Sequence, residues 1–328
     1  MNHLAVPPDA APAVSVIMNC LNGAAALPAA MDSLMAQSFT DFEVIFFDNA
    51  STDASPAIAR SYGAKVRYFR AEKTVSLGAA RNLALVEARG SFLAFLDCDD
   101  LWRAEKLSRQ VELFRSNPRL GIVCTDTEIS NGKRTLGSFF SSARPCRGMV
   151  FDELMQRQWI SMSSAMLRRE ALASLTPDPT RWNGGWFDES LNVCEEADVF
   201  YRIAHDWELD YIDEILTVWH VHEANATFRK FGQFADETLR ILEKHRRIYP
   251  GYDIEHADVV EALTKRAAFQ KAVSLWREGH NAEARRIIGP WRKNSRKHRL
   301  FWWGSYLPGS CFDLAARLYF ALPAWMRH

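Results

Sequence analysis

The feature that most restricts how this chain can fold is the alternation, through its first hundred residues, of short β-branched and aromatic runs with longer helical stretches. Val14-Ser15-Val16-Ile17-Met18 reads as a strand, 24–37 as a helix, and Phe42-Glu43-Val44-Ile45-Phe46-Phe47 as a second strand. A helix over 55–62, a strand at Val66-Arg67-Tyr68-Phe69, a helix over 77–88 and a strand at Phe92-Leu93-Ala94-Phe95-Leu96 continue the rhythm. Strands apolar along nearly their whole length are buried on both faces, and the helices between them supply the covering layers. The expected fold class is therefore α/β, with a mostly parallel, Rossmann-like central sheet flanked by helices. Such a sheet binds ligands beyond the carboxyl ends of its strands. Three polar clusters fall there: 19–22, 48–53, and Asp97-Cys98-Asp99-Asp100.

Past residue 102 the rhythm loosens. The pattern predicts a helix over 103–116, with Leu107, Val111 and Phe114 on one face, and then a strand over 121–125. Within the polar stretch 130–146, Asn131-Gly132 is a hairpin turn signal, and the sheet resumes near 160–167. From about residue 227 helical patterns take over, at 231–248, 257–278 and 281–288, the last two forming an αα-hairpin around Gly279-His280-Asn281. The expected division is a loose tail over 1–12, an α/β domain over 13–227 and an all-helical C-terminal extension over 228–328, basic and aromatic at its end.

Charge narrows the partners. Lys and Arg together number 40, as do Asp and Glu, a balance that points away from nucleic acid. From Arg285 to His328, however, nine Lys/Arg face the single acid Asp313, interleaved with aromatics such as Trp291, Trp302, Trp303 and Tyr306. That mixture suits a segment lying on an anionic membrane surface, and equally a helical cap packed onto the first domain. The sequence has no run of eighteen apolar residues, and its Ala/Pro-rich start does not read as a secretory signal. Six dispersed cysteines without a C-x-x-C pair agree with a reduced, cytoplasmic setting.

Asp97, Asp99 and Asp100 place three carboxylates within four residues where a buried strand emerges. Like charges so close need solvation or a cation, and hard oxygen ligands suit Mg²⁺ or Mn²⁺ completed by phosphate oxygens and water. An acidic N-cap at Asp100 accounts for part of the cluster without any ligand. A second cluster, Glu195-Glu196-Ala197-Asp198, opens a helix; Glu195 and Asp198 share a face, and the macrodipole favours acids there whatever their role. A general base for a hydroxyl acceptor is the functional reading, and an ordinary carboxylate, ionised at neutral pH, suffices for it. His220 and His222 share one side of a strand-like segment, as metal ligands or as hydrogen-bonded structure. Gly78-Ala79-Ala80-Arg81-Asn82 opens a helix whose free N–H groups, with Arg81, can approach phosphate. Trp182 and Trp186, flanking Gly184-Gly185, either stack on an acceptor sugar or pack against the sheet.

Taken together, Val14-Ser15-Val16-Ile17-Met18-Asn19-Cys20-Leu21-Asn22, Asp41-Phe42-Glu43-Val44, Asp48-Asn49-Ala50-Ser51-Thr52-Asp53 and Gly78-Ala79-Ala80-Arg81-Asn82 resemble the family 2 glycosyltransferases of GT-A fold. Leu96-Asp97-Cys98-Asp99-Asp100-Leu101-Trp102, Gly184-Gly185-Trp186-Phe187-Asp188-Glu189, Glu195-Glu196-Ala197-Asp198 and His222-Glu223-Ala224-Asn225 carry the match to about residue 227. The resemblance implies an inverting transferase. Its nucleotide-sugar would lie among Asn19, Leu21, Asn22, Asp48, Asn49, Gly78 and Arg81, with Asp97 on the ribose. It implies Mn²⁺ or Mg²⁺ at Asp99, with His222 completing the metal or diphosphate environment. Glu196 stands at the base position, with Glu195 and Asp198 as its alternatives; Trp182, Gly185 and Trp186 are candidates to meet the acceptor, a glycan or a lipid-linked sugar. Leu21 replaces a frequent Tyr, Asn49 a frequent Asp and Glu196 the usual Asp. A nucleotidyltransferase would carry a Gly-rich, basic phosphate loop after its first strand, which Asn19-Cys20-Leu21-Asn22-Gly23 does not offer. A decayed nucleotide-sugar-binding scaffold would not be expected to retain Asp97, Asp99 and an acid at the base position.

Overall fold

The computed structural model describes residues 11–141, 144–175, 185–222, 232–293 and 295–309. The chain divides into two compact units, Met1–Asn225 and Ala226–His328.

In the first unit the strands are β1 (Val14–Cys20), β2 (Phe42–Asp48), β3 (Val66–Arg70), β4 (Phe92–Phe95), β5 (Leu101–Trp102), β6 (Leu120–Ser130), β7 (Thr135–Ser138), β8 (Met166–Arg168) and β9 (Glu208–His220). The helices are α1 (Leu27–Met35), α2 (Ser55–Ser61), α3 (Leu77–Glu87), α4 (Lys106–Ser116), α5 (Phe151–Gln156), α6 (Arg169–Ala173) and α7 (Glu195–Asp206). The strands form one sheet in the order β3-β2-β1-β4-β8-β6-β9-β5, with β7 hairpinned onto β6. β3, β2, β1 and β4 run parallel, as crossovers through helices require. β8 is antiparallel to both β4 and β6, and β6 and β9 are parallel again. This is the α/β sheet that the apolar runs predict, parallel through its first four strands and mixed beyond.

The centre of the sheet is buried because β1, β2 and β4 are largely apolar. Val14, Val16, Met18, Val44, Phe46, Ala94 and Leu107 belong to one core that α1 and α4 cover. Two local devices set the lower ends of the strands. Glu43 accepts hydrogen bonds from Ser15, Arg67 and Arg89; burial alone would raise its carboxyl, and these partners hold it below the usual carboxylate range. Gly90 passes so close to β1 that a Cβ there would fall 2.4 Å from the Ser15 nitrogen.

Three elements escape the periodicity. β5 is two residues long, paired to β9 through Leu101↔Val218 and Trp102↔Thr217. β9 runs thirteen residues, but its pairing with β6 jumps from Thr125↔Ile212 to Asp126↔Ile215, so exposed Asp213 and Glu214 interrupt the alternation that marks a strand. The return near 160–167 is a short helical turn, Met162–Ser164, followed by β8. The hairpin at Asn131-Gly132 forms as its residues predict: Gly132 has φ 78° and the Asn131 side chain accepts from the Lys133 and Arg134 N–H groups.

The second unit is helical over Gln233–Ile248, Ala257–Arg277, Asn281–Ile288 and Arg296–Gly304. Gly279, at φ 87°, turns the αα-hairpin, and Trp276, Ala284, Ile288 and Phe301 share its core. No helix among the described residues is long and apolar enough to cross a membrane.

Candidate active site

The loops after β1, β2 and β4 meet beyond the carboxyl edge of the sheet. The first two are laced together: Asn22 N–H donates to Ser51 Oγ, Thr52 N–H to Asn22 Oδ1, Ala24 N–H to Asp53 Oδ2 and Asn49 N–H to the Cys20 carbonyl. Asn22 and Ala50 both take left-handed backbone, at φ 54° and 63°. Asn tolerates this conformation; for Ala50 it costs on the order of 1–2 kcal/mol, which the lacing holds in place. Between the loops, Gly23 runs beside two thiols: a Cβ there would fall 2.8 Å from Cys98 Sγ and 2.9 Å from Cys20 Sγ.

Several residues expected around the nucleotide turn out to build the walls of this region. Asp48 is fully buried, its carboxylate taking hydrogen bonds from Ser51 N–H, Tyr68 Oη at 2.6 Å and Arg70 at 2.5 Å. Burial raises its carboxyl, and the bonds from Tyr68 and Ser51, with the Arg70 charge, outweigh that and depress it. The Asn49 amide pairs in both directions with the Val75 backbone, at 3.0 and 2.9 Å, so it fastens the segment before α3. Gly78 lets α3 pass the 188–189 segment, because a Cβ would stand 3.2 Å from the Asp188 carbonyl oxygen. Leu21 is exposed, and Asn19 lies at the end of β1 with its Nδ2 buried and no partner among the described residues.

Arg81, on α3, joins the two acidic clusters. Its buried guanidinium donates to Glu195 Oε1 at 2.9 Å and to Glu196 Oε2 and Asp97 Oδ1 at 3.5 and 3.4 Å, and it lies 114 residues from Glu195 in sequence. Glu195 is 4% exposed in its side chain and Glu196 31%, so Glu196 is the carboxylate that the helix turns toward solvent. Burial, with Glu195 and Asp97 beside it, outweighs Arg81 and pushes Glu196 up to about 8. At Asp97, desolvation of the carboxyl and the charge of Asp99 outweigh Arg81 and raise it.

Asp198 does other work. It is buried against Arg202 one turn on, at 2.9 Å, and Arg202 also donates to the Trp186 carbonyl. Trp186 itself is only 7% exposed and packs in the core, the second of its two readings. Gly185 is required by Asn82: a Cβ would fall 2.2 Å from Asn82 Nδ2, the atom that donates to the Phe187 carbonyl while Phe187 N–H donates back to Oδ1. Trp182 lies outside the described residues, as do Gly184 and 223–225.

The 97–100 loop is carried from behind by Ser163, a residue with no sequence signal of its own. Its Oγ donates to Asp100 Oδ2 at 2.5 Å and accepts the Asp97 N–H, while Trp102 Nε1 donates to its carbonyl. Asp100, buried, also accepts the His220 N–H; burial and the charges of Asp97 and Asp99 raise its carboxyl well above the usual range. The β5–β9 pairing brings the end of β9 alongside the loop, so His220 Nδ1 lies 2.9 Å from the Asp99 carbonyl and His222 Nε2 3.0 Å from Asp99 Oδ2. Among the described residues no three His, Cys, Asp or Glu converge as a closed metal cage. Asp99 and His222 face each other as a hydrogen-bonded pair at the edge of the loop.

The sequence model described as Glycosyl transferase family 2 matches residues 15–176, spanning all three loops. An uncharacterized glycosyltransferase of Rickettsia typhi is 26% identical over 246 residues, 74% of this chain and 71% of that protein. The Escherichia coli UDP-Glc:alpha-D-GlcNAc-diphosphoundecaprenol beta-1,3-glucosyltransferase WfgD is 27% identical over 48% of this chain and 61% of its own length. Among solved structures, the mannosyltransferase PcManGT from Pyrobaculum calidifontis, in complex with GDP-Man and Mn²⁺, superposes with a TM-score of 0.61 at 19% identity, over 98% of this chain and 84% of that one. That likeness shows the GT-A fold. By its family match and its fold, the chain belongs to glycosyl transferase family 2 and is a glycosyltransferase.

Proposed function

We propose that the chain moves a sugar, with inversion, from a nucleoside-diphosphate sugar, a UDP- or dTDP-sugar, to a hydroxyl of a glycan or lipid-linked acceptor in surface polysaccharide assembly, on the cytoplasmic side of the membrane. The observation that carries this reading is Arg81 spanning from Asp97 to Glu195 and Glu196. It makes one site of a nucleotide-side loop and an acidic helix start. The printed name of WfgD, with its UDP-glucose donor and diphosphoundecaprenol acceptor, supports the donor and acceptor classes.

Asp97 accepts hydrogen bonds from the ribose hydroxyls, and Asn19 Nδ2 donates to an acceptor edge of the base. Asp99 and His222 would hold the divalent cation, which when bound neutralises charge developing on the departing diphosphate. Such a cation would offset the repulsion between a diphosphate and the carboxylates of Asp97 and Asp99. Glu196 takes the proton of the acceptor hydroxyl as that oxygen bonds to the anomeric carbon and the diphosphate oxygen leaves from the opposite face. Glu195 holds Arg81 in register, and Asp198 holds Arg202.

Base assistance is worth roughly 10²–10⁴-fold. Glu196→Gln is therefore expected to lower kcat with UDP-sugar by about that factor while the protein stays folded, and Asp99→Ala to remove metal-dependent turnover. Near-normal kcat in Glu196→Gln would assign the base elsewhere.

A further inference from the structure

The helix Arg296–Gly304 has two apolar sides, and folding uses one of them. Inward, Phe301 packs 5.1 Å from the Trp276 ring and 5.0 Å from Phe269, with His298 beside it. Outward, at steps of three and four, stand Arg296, Leu300, Trp303 and, past the helix end, Leu307, flanked by Arg299 and Tyr306. Leu300, Trp303, Tyr306 and Leu307 are 43, 62, 56 and 50% exposed, four large apolar side chains within eight residues. So concentrated a patch marks a binding face.

Along the chain, the charge from residue 285 to 309 has one sign, although Arg286 pairs with Glu283 just before it. Residues 285–309 contain seven Lys or Arg and no Asp or Glu. Cations and rings interleave: Arg285 lies 4.2 Å over the Tyr306 ring and Arg292 5.7 Å from Trp302. A neutral apolar partner has no use for seven cations, and a nucleic acid backbone has none for Leu300 and Leu307. A surface that is anionic at its phosphates and apolar just beneath answers both, with tryptophan and tyrosine at the boundary.

We propose that this face rests on an anionic lipid surface, with Trp303, Tyr306 and Leu307 among the headgroups and Arg296 and Arg299 on lipid phosphates. The inference stands on the second unit alone and does not depend on the reading of the transfer site. It is tested by sedimenting the full chain with phosphatidylcholine vesicles with and without phosphatidylglycerol. The wild type is expected to pellet about tenfold more with the anionic vesicles, an excess that falls with added salt. The pairs Trp303→Ser with Leu307→Ser, and Arg296→Glu with Arg299→Glu, are each expected to abolish that excess with unchanged circular dichroism. Equal recovery in the supernatant with both vesicles overturns the proposal. So does binding that the serine pair leaves intact and duplex DNA competes away, which would make the face a general polyanion site.

Discussion

In the proposed transfer Glu196 accepts a proton while sharing a guanidinium with two other carboxylates, and its environment raises it to about 8. Its folded value lies above the unfolded one, so protonation favours the fold. The stability it contributes is complete below the ordinary carboxylate range and is lost as pH rises through about 8. The same shift sets the reaction: kcat/KM in the proposed transfer is expected to rise with pH along a limb near 8 and not near 4.5, and Glu196→Gln to flatten both profiles. A rate limb below pH 6 in the free enzyme would remove Glu196 as the base. At this scale the sequence was only partly legible. The carboxylates of Asp97–Asp100 and Glu195–Asp198 stand out by density, and a family resemblance singles out Arg81. Nothing local says that Asp48 and Asn49 turn their polar atoms to Arg70 and to Val75, or that Ser163 supports the acidic loop, because those partners lie 22, 26 and 63 residues away.

Among the elements, those that can be read from the sequence are the ones whose environment is uniform. β1, β2 and β4 are buried on both faces and β3, at the edge, is half-buried, and their apolar runs announce them. β5 is two residues long and β9 is broken by a register shift against β6, so neither carries the full pattern, and yet their pairing is what delivers His220 and His222 to Asp99. The crossing of 185–189 over α3 is equally non-local: Asn82 grips Phe187 from both sides only because Gly185 leaves it room. Gly185→Ala is expected to displace the Asn82 amide and cost about 1–3 kcal/mol by urea unfolding, with a loss of activity from the shifted start of α7. Unaltered stability and turnover would show that the crossing is slack. Gly90→Ala meets backbone at 2.4 Å and not a movable side chain, so its cost is expected to be the larger of the two, measured in the same way.

For the whole molecule, the division into an α/β unit and a helical unit localises the effect of ligand. A UDP-sugar with Mn²⁺ at about a hundredfold excess over its Kd adds about 2.7 kcal/mol to the state that binds it. Hydrogen exchange is expected to slow at 19–22, 48–53 and 97–100, with little change along Ala257–Arg277; protection confined to the helical unit would misplace the site. The single guanidinium of Arg81 has a consequence of its own. Whatever engages Asp97 alters how that cation is divided, and so alters Glu196. If donor and acceptor bind on these two sides as proposed, their affinities are linked: a nucleotide that changes the grip on the acceptor by some factor has its own grip changed by the same factor. In the proposed transfer, one buried arginine would thereby make the binding of donor and acceptor a reciprocal equilibrium.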